Sequence, residues 1–250
     1  MMGTSHAATG LLAGAAVAVA VQTDPFTALW CALIGGGAAL LPDLDEPGST
    51  VGRSLGRVTE LASRKLRDAS KAVYRRTATD VERRHPQEGG HRYLTHTVPA
   101  CAVFGLVALL VSLVPLGAGL VVFAMVALGL GTVLRPMKKL GSLRKRKHAT
   151  LWIAGGLAVA AMLGYEQTPA WWLIGSVVFA GALVHVLGDW LTRSGVPLAW
   201  PFVVNGKRWW MFRSPVAFHT GKSPVEVGIR VVSVIAAPVT VLLGSPVPPV

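Results

Sequence analysis

Charge is what this chain has least of. Only 14% of its 250 residues are Asp, Glu, Lys or Arg, against about 25% in soluble domains, so an ordinary water-exposed globule is excluded. Acidic residues are scarcer still, 12 against 24 Lys and Arg, for a net charge of +12. Cysteine is nearly missing. Cys31 and Cys101 both sit inside apolar runs, without CxxC spacing, which excludes a disulfide framework or a thiolate zinc ribbon; both are expected as buried free thiols. The opening residues, Met1 to His6, carry no basic n-region. No cleavable leader is therefore expected, and the first apolar run is read as a retained span.

Hydrophobic residues make up 52% of the chain and the mean hydropathy is +0.52. Seven apolar runs carry that excess: 7–22, 26–41, 98–114, 117–134, 151–165, 170–187 and 228–243. Several are short for a hydrocarbon core about 30 Å thick, which takes about 20 helical residues. The early ones are rich in Ala and Gly, suited to close helix packing. The expected fold is all-α: one polytopic transmembrane bundle of about six or seven spans over residues 1–250. A basic helical insert occupies 53–90, and a loop at 203–227 precedes the last span.

The connections alternate. Three are tight: Thr23 to Pro25, Pro115-Leu116, and Glu166 to Pro169. Three are long or basic: Pro42 to Thr97, Arg135 to Thr150, and Gly188 to Val227. Under this threading all 24 Lys and Arg fall on the side of the long connections, while Asp24 and Glu166 are the only charges on the other side. Positive charge stays on the cytoplasmic side, which predicts a multi-pass protein of the bacterial inner membrane with its N-terminus in the cytoplasm and its C-terminus outside. Segregation of this kind explains the basicity without nucleic acid, and no specific nucleic-acid partner is expected.

Within the insert, Val58, Leu61, Ala62, Leu66, Ala69, Val73 and Val81 recur near a 3.6-residue period between Arg and Lys. That pattern predicts a basic amphipathic helix, lying either on anionic lipid headgroups or against the bundle. The run Arg144 to Lys147 reads as a topology determinant beside the leaflet.

Chemistry-bearing residues gather where this threading puts the long connections. His6 precedes the first span, and Asp43 and Asp45 follow the second. His91 and His96 precede the third, while His185 and Asp189 close the sixth. Lys and Arg alone set this threading, yet under it all seven reach one membrane face. His185 and Asp189, four apart, share a helix face; Asp43 and Asp45, two apart, share a side of an extended segment. His91 and His96 lie about 140° apart around a helix and can converge only if His91 sits in a loop. Imidazoles mixed with carboxylates suit a divalent transition metal better than Mg or Ca. The expected cofactor is zinc, with manganese or iron as alternatives, as one ion or as a pair sharing carboxylates. Arg92 and Arg193 flank these residues and are candidates to clamp a phosphate. His148 and His219 are left open, and His85 reads as solvated.

Four motifs in order carry a resemblance: Gly3-Thr4-Ser5-His6, Leu41-Pro42-Asp43-Leu44-Asp45, His91-Arg92-x-x-Thr95-His96, and His185-x-x-x-Asp189-x-x-Thr192-x-x-Gly195 running on to Trp200-Pro201-Phe202. Over roughly residues 1–205 the chain resembles the bacterial LexA-regulated, membrane-bound, metal-dependent hydrolases. The resemblance implies His/Asp metal ligands, a hydrolase activity and a link to the DNA-damage response. The insert and the tail beyond Gly206 look less typical of it.

The expected function is metal-dependent hydrolysis of a phosphoester, a phospholipid or another small or lipid-linked substrate reaching the cytoplasmic face, by attack of metal-bound hydroxide. Asp45 and Arg92 are the candidates for catalytic work. Two rivals are a metal or ion transporter and a non-catalytic membrane protein with a structural metal.

Overall fold

A computed structural model describes residues 1–244 apart from 50, 55, 138 and 140. All seven apolar runs are helical. In chain order the helices are α1 (Gly3–Ala20), α2 (Pro25–Ala38), α3 (Arg57–Thr77), α4 (Asp80–Arg84), α5 (Val98–Val111), α6 (Pro115–Leu134), α7 (Leu143–Leu163), α8 (Trp171–Trp190) and α9 (Pro224–Gly244). Among the described residues, five stretches are long and apolar enough to cross a membrane: α1, α2 with the turn after it, α6, α8 and α9. The third apolar run, α5, is only 14 residues long. The helix of the fifth, α7, spends its first turns on Arg144 to Lys147, leaving a short apolar part.

The sequence sets these boundaries. Asp24 accepts from the backbone N–H groups of Phe26 and Thr27 at 2.9 and 3.0 Å, and Pro25 supplies the first turn of α2. Thr97 caps α5 in the same way, ahead of Pro99. Such caps are worth about 1 kcal/mol each. At the C-terminal end of α6, Arg146 from α7 donates to the carbonyl of Arg135 at 2.8 Å, as cations do at helix C-termini. One member of the basic run is therefore a buried structural contact.

At the centre, α1, α2 and α8 pack against one another. They approach through glycine. A Cβ at Gly10 would run into the backbone of Gly35, and one at Gly14 into that of Cys31; Gly181 of α8 lies against Gly35 and Ala38. In a bilayer, where hydrophobicity does not drive helices together, close backbone approach is the main source of attraction. Around this trio, α5 packs on α8, α6 on α2 and α7, and α9 on α1. Leucines and valines on the outer faces of α5, α7 and α9 are left exposed, as a lipid-facing surface requires.

Two short 3-10 turns, Pro42–Asp45 and Leu94–His96, sit at one end of the bundle, together with the start of α1 and the end of α8. Helix α3 packs on both turns. It does so with Thr59, Ser63, Ser70 and Tyr74, its buried residues, while Val58 and Leu61 face outward. The chain after α8 folds back over the same end. Gly195, at φ +70°, makes the turn, and Val196 then pairs with Phe212. A side chain at Gly195 would meet the Phe212 carbonyl.

Candidate metal centre

The structure brings His6, Asp43, Asp45, His91, His96, His185 and Asp189 together. His6, Asp45, His96, His185 and Asp189 are at most 1% exposed. Three overlapping trios have ligand atoms all within 4.8 Å of one another: His6, Asp43 and His185; Asp43, His91 and His96; and His96, His185 and Asp189. His85, His148 and His219 are exposed and belong to none of these trios. Arg193 is exposed as well.

Each of three imidazoles is turned by its Nδ1. His185 Nδ1 lies 2.7 Å from the Ala39 carbonyl. A carbonyl only accepts, so Nδ1 carries the proton and Nε2 is a bare lone pair. His91 Nδ1 lies 2.7 Å from Asp45 Oδ1. Thr95 donates its hydroxyl proton to Asp45 Oδ2 at 2.6 Å, and its oxygen then accepts from His96 Nδ1 at 3.0 Å. All three Nε2 atoms therefore aim inward as acceptors.

They aim at one spot. His96 Nε2 and His185 Nε2 stand 3.2 Å apart. Asp43 Oδ1 is 3.7 Å from the first, 3.6 Å from the second and 4.0 Å from His91 Nε2. Asp189 Oδ2 lies 3.6 Å from His96 Nε2 and 3.8 Å from His185 Nε2. Two lone pairs cannot hydrogen-bond to each other; a proton or a cation must stand between them. Two nitrogens about 2.0–2.1 Å from one tetrahedral ion are about 3.3–3.4 Å apart, close to the observed separation. The donor set fits a transition metal on these grounds.

His6 forms a second edge. Its ring stacks on His185, with centroids 3.6 Å apart and planes 15° from parallel. Neither of its nitrogens has a hydrogen-bond partner, although Nε2 comes within 3.3 Å of Asp189 Oδ1. Room for the ring comes from Gly188, where a Cβ would stand 3.3 Å from it. Asp189 also meets the Met1 amino group.

Arg92 reaches across to Asp189 Oδ2 at 3.2 Å and donates to Thr192 at 3.1 Å. Its backbone is left-handed, with φ +65°. For a residue other than glycine that costs about 1–2 kcal/mol, and strain of this kind clusters at functional sites. Burial opposes charge on His91, yet its bond to Asp45 and the charges of Asp45 and Asp43 outweigh it and raise the imidazole pKa. A field that favours a proton there also favours a metal ion.

The insert supports the loop that carries these ligands. Ser70 of α3 points its hydroxyl at the Gly89 and Gly90 carbonyls, each 2.8 Å away, and accepts from Leu94 N–H at 3.1 Å. Arg67 ties Glu46 to Glu88. Nothing in the period of the insert pointed to this role. The motifs contain Thr95 and enclose Gly188 but give neither a role; Thr95 links Asp45 to His96 and Gly188 makes room for His6.

A helical membrane bundle with a buried His/Asp cluster at one end is the class of protein these features define. The family of YdjM inner membrane proteins matches residues 1–135 and 125–244. The chain belongs to that family and is an inner-membrane protein. No curated protein and no solved structure matches it.

Proposed function

We propose that the cluster is a metal centre that hydrolyses a phosphoester carried by a membrane lipid. The observation behind this reading is the pair of facing lone pairs on His96 and His185, ringed by Asp43, Asp189 and His91. Those five residues would hold the ion, with His6 available to it or to a second one. Zinc is the first candidate, manganese and iron the next. When bound, the metal supplies a Lewis acid that polarises a phosphoryl oxygen and lowers the pKa of water to about 7.

The chain's own groups divide the remaining work. Asp45 holds rings: both of its oxygens are taken, by His91 and Thr95, so it orients the ligands and is poorly placed as a base. His6 has two open nitrogens and can take or give a proton at Nε2. Arg92 is placed to meet a substrate anion beside Asp189.

Concentration of the candidate donor groups at one end argues against a transport pathway, which needs polar groups along the spans. By the positive-inside rule this end is cytoplasmic. Periplasmic reporter activity from a fusion at the C-terminus (residues 245–250 lie outside the described ones) is the expected outcome, and cytoplasmic activity reverses the orientation.

Elemental analysis of protein purified in detergent, followed by a screen of phosphoesters with the metal found, tests the reading. One or two transition-metal ions per chain are expected, with loss of most of the metal in Asp43→Asn and His185→Ala variants that still elute as folded protein. Full metal content in both variants rejects the centre. A metal-loaded protein inert toward every phosphoester rejects the activity but keeps the centre.

A further inference from the structure

Helices α5 and α6 are joined by only Ser112, Leu113 and Val114, yet they diverge. One packs on α8, the other on α2 and α7, and the two barely touch. The gap between them is an almost wholly apolar cleft of about 410 Å³, lined among others by Leu41, Phe104, Val107, Leu120, Ala124 and Val178. Val107 and Leu120 are 52% and 55% exposed, so the cleft opens sideways, on the surface that faces lipid.

Its position relative to the metal centre matters most. Leu41 is two residues from Asp43. Val178 lies seven residues before His185 on the same helix, and Val103, another lining residue, follows His96 by seven. At 1.5 Å per residue, the α8 wall lies about 10 Å deeper along the bundle than the centre. In a leaflet about 15 Å thick, half of a hydrocarbon core of about 30 Å, that is where the upper part of an acyl chain runs when its headgroup is at the interface.

We propose that the α5/α6 cleft seats an acyl chain of the substrate, which reaches the centre laterally from the membrane with its phosphoester beside His96, His185 and Arg92. The substrate is thereby a phospholipid. This rests on the hydrolase reading and adds a selection on chain length. The chain moves from lipid tails into an equally apolar cleft, so selection comes from how well it packs the walls; binding strengthens with chain length until the cleft is filled and then levels off.

The test uses the full chain in nanodiscs with a phospholipid bearing a diazirine in its acyl chain, and in parallel a diacylglycerol with the same chains. Labelled residues are mapped by mass spectrometry. The phospholipid should label the cleft at least fivefold more than the outward face of α9, and the diacylglycerol should show no such preference. Ala124→Trp, which fills the cleft, should bring cleft labelling down to the α9 level with bound metal unchanged; Val107→Trp on the rim serves if the first variant does not fold. Val232→Trp on α9 should leave cleft labelling as it was. Equal cleft labelling by the two probes, or labelling indifferent to both cleft variants, overturns the proposal even if phosphoesters are hydrolysed. Selective cleft labelling in a protein that hydrolyses no phosphoester leaves the binding site standing and removes the hydrolase reading alone.

Discussion

The central trio and the cap hold the same site by opposite means. Helices α1, α2 and α8 meet backbone to backbone through Gly10, Gly14, Gly35 and Gly181, and carry His6, His185 and Asp189. The cap, α3 with the loop at 89–97, is held together by the Ser70 hydroxyl, is tied to the turn after α2 by Thr95 on Asp45 and by Arg67 on Glu46, and carries His91 and His96. Packing without side chains tolerates almost no added volume. Polar tethers fail one at a time, each with a modest cost. Ligands from the trio are fixed as soon as the bundle forms, whereas those from the cap need Ser70, Asp45 and Thr95 to turn them.

That contrast can be pressed from both sides. Gly35→Leu should have the largest effect, because its side chain has nowhere to go between the backbones of α1 and α8; no monodisperse folded protein is expected on size-exclusion chromatography. Monodisperse protein with unaltered thermal stability would show that the glycine contacts are dispensable. Asp45→Asn keeps the volume but weakens the hold on His91 and Thr95. Metal affinity should fall about 10–100-fold, as losses behind a metal ligand typically do, with the helical signal in circular dichroism unchanged; unaltered affinity would remove Asp45 from the orienting role. Ser70→Ala frees two carbonyls and one N–H of the cap. A loss of about 1–3 kcal/mol for buried groups left unpaired should appear as faster amide exchange in 89–96, with protection in α1 and α8 intact. Glu60→Ala breaks an exposed pair with Arg64 on the outer side of α3 and should change neither stability nor metal content, since such pairs are worth about 0.3–0.5 kcal/mol.

Much of the trio was legible in the sequence, and less of the cap. Apolar runs bounded by Pro and Asp mark the helices, because the membrane demands length and apolarity and tolerates little else. Charge segregation located the site end, and the one-sided placement of His6, Asp43, His96 and Asp189 followed from it. Helix α3 was misleading. Its periodic Val58 and Leu61 suggest the packing face, but the loop it covers presents two carbonyls and an N–H to Ser70, which turns inward together with Thr59 and Ser63. The split between α5 and α6 was also hidden, because their short linker and uniform apolarity resemble those of a packed hairpin. Which carboxylate would face the centre depended on Thr95, a residue that composition does not distinguish from any other threonine.

Helix α2 stops at Ala38, and Pro42, lacking an N–H, cannot bond back to prolong it. The Ala39 carbonyl is thereby left without a helical donor, and His185 takes it. A helix ended one turn early thus selects the tautomer of an imidazole 146 positions along the chain. The hinge between scaffold and chemistry is a single peptide oxygen, and any change that lets α2 wind on past residue 39 would take that oxygen from His185 and leave its imidazole free to turn.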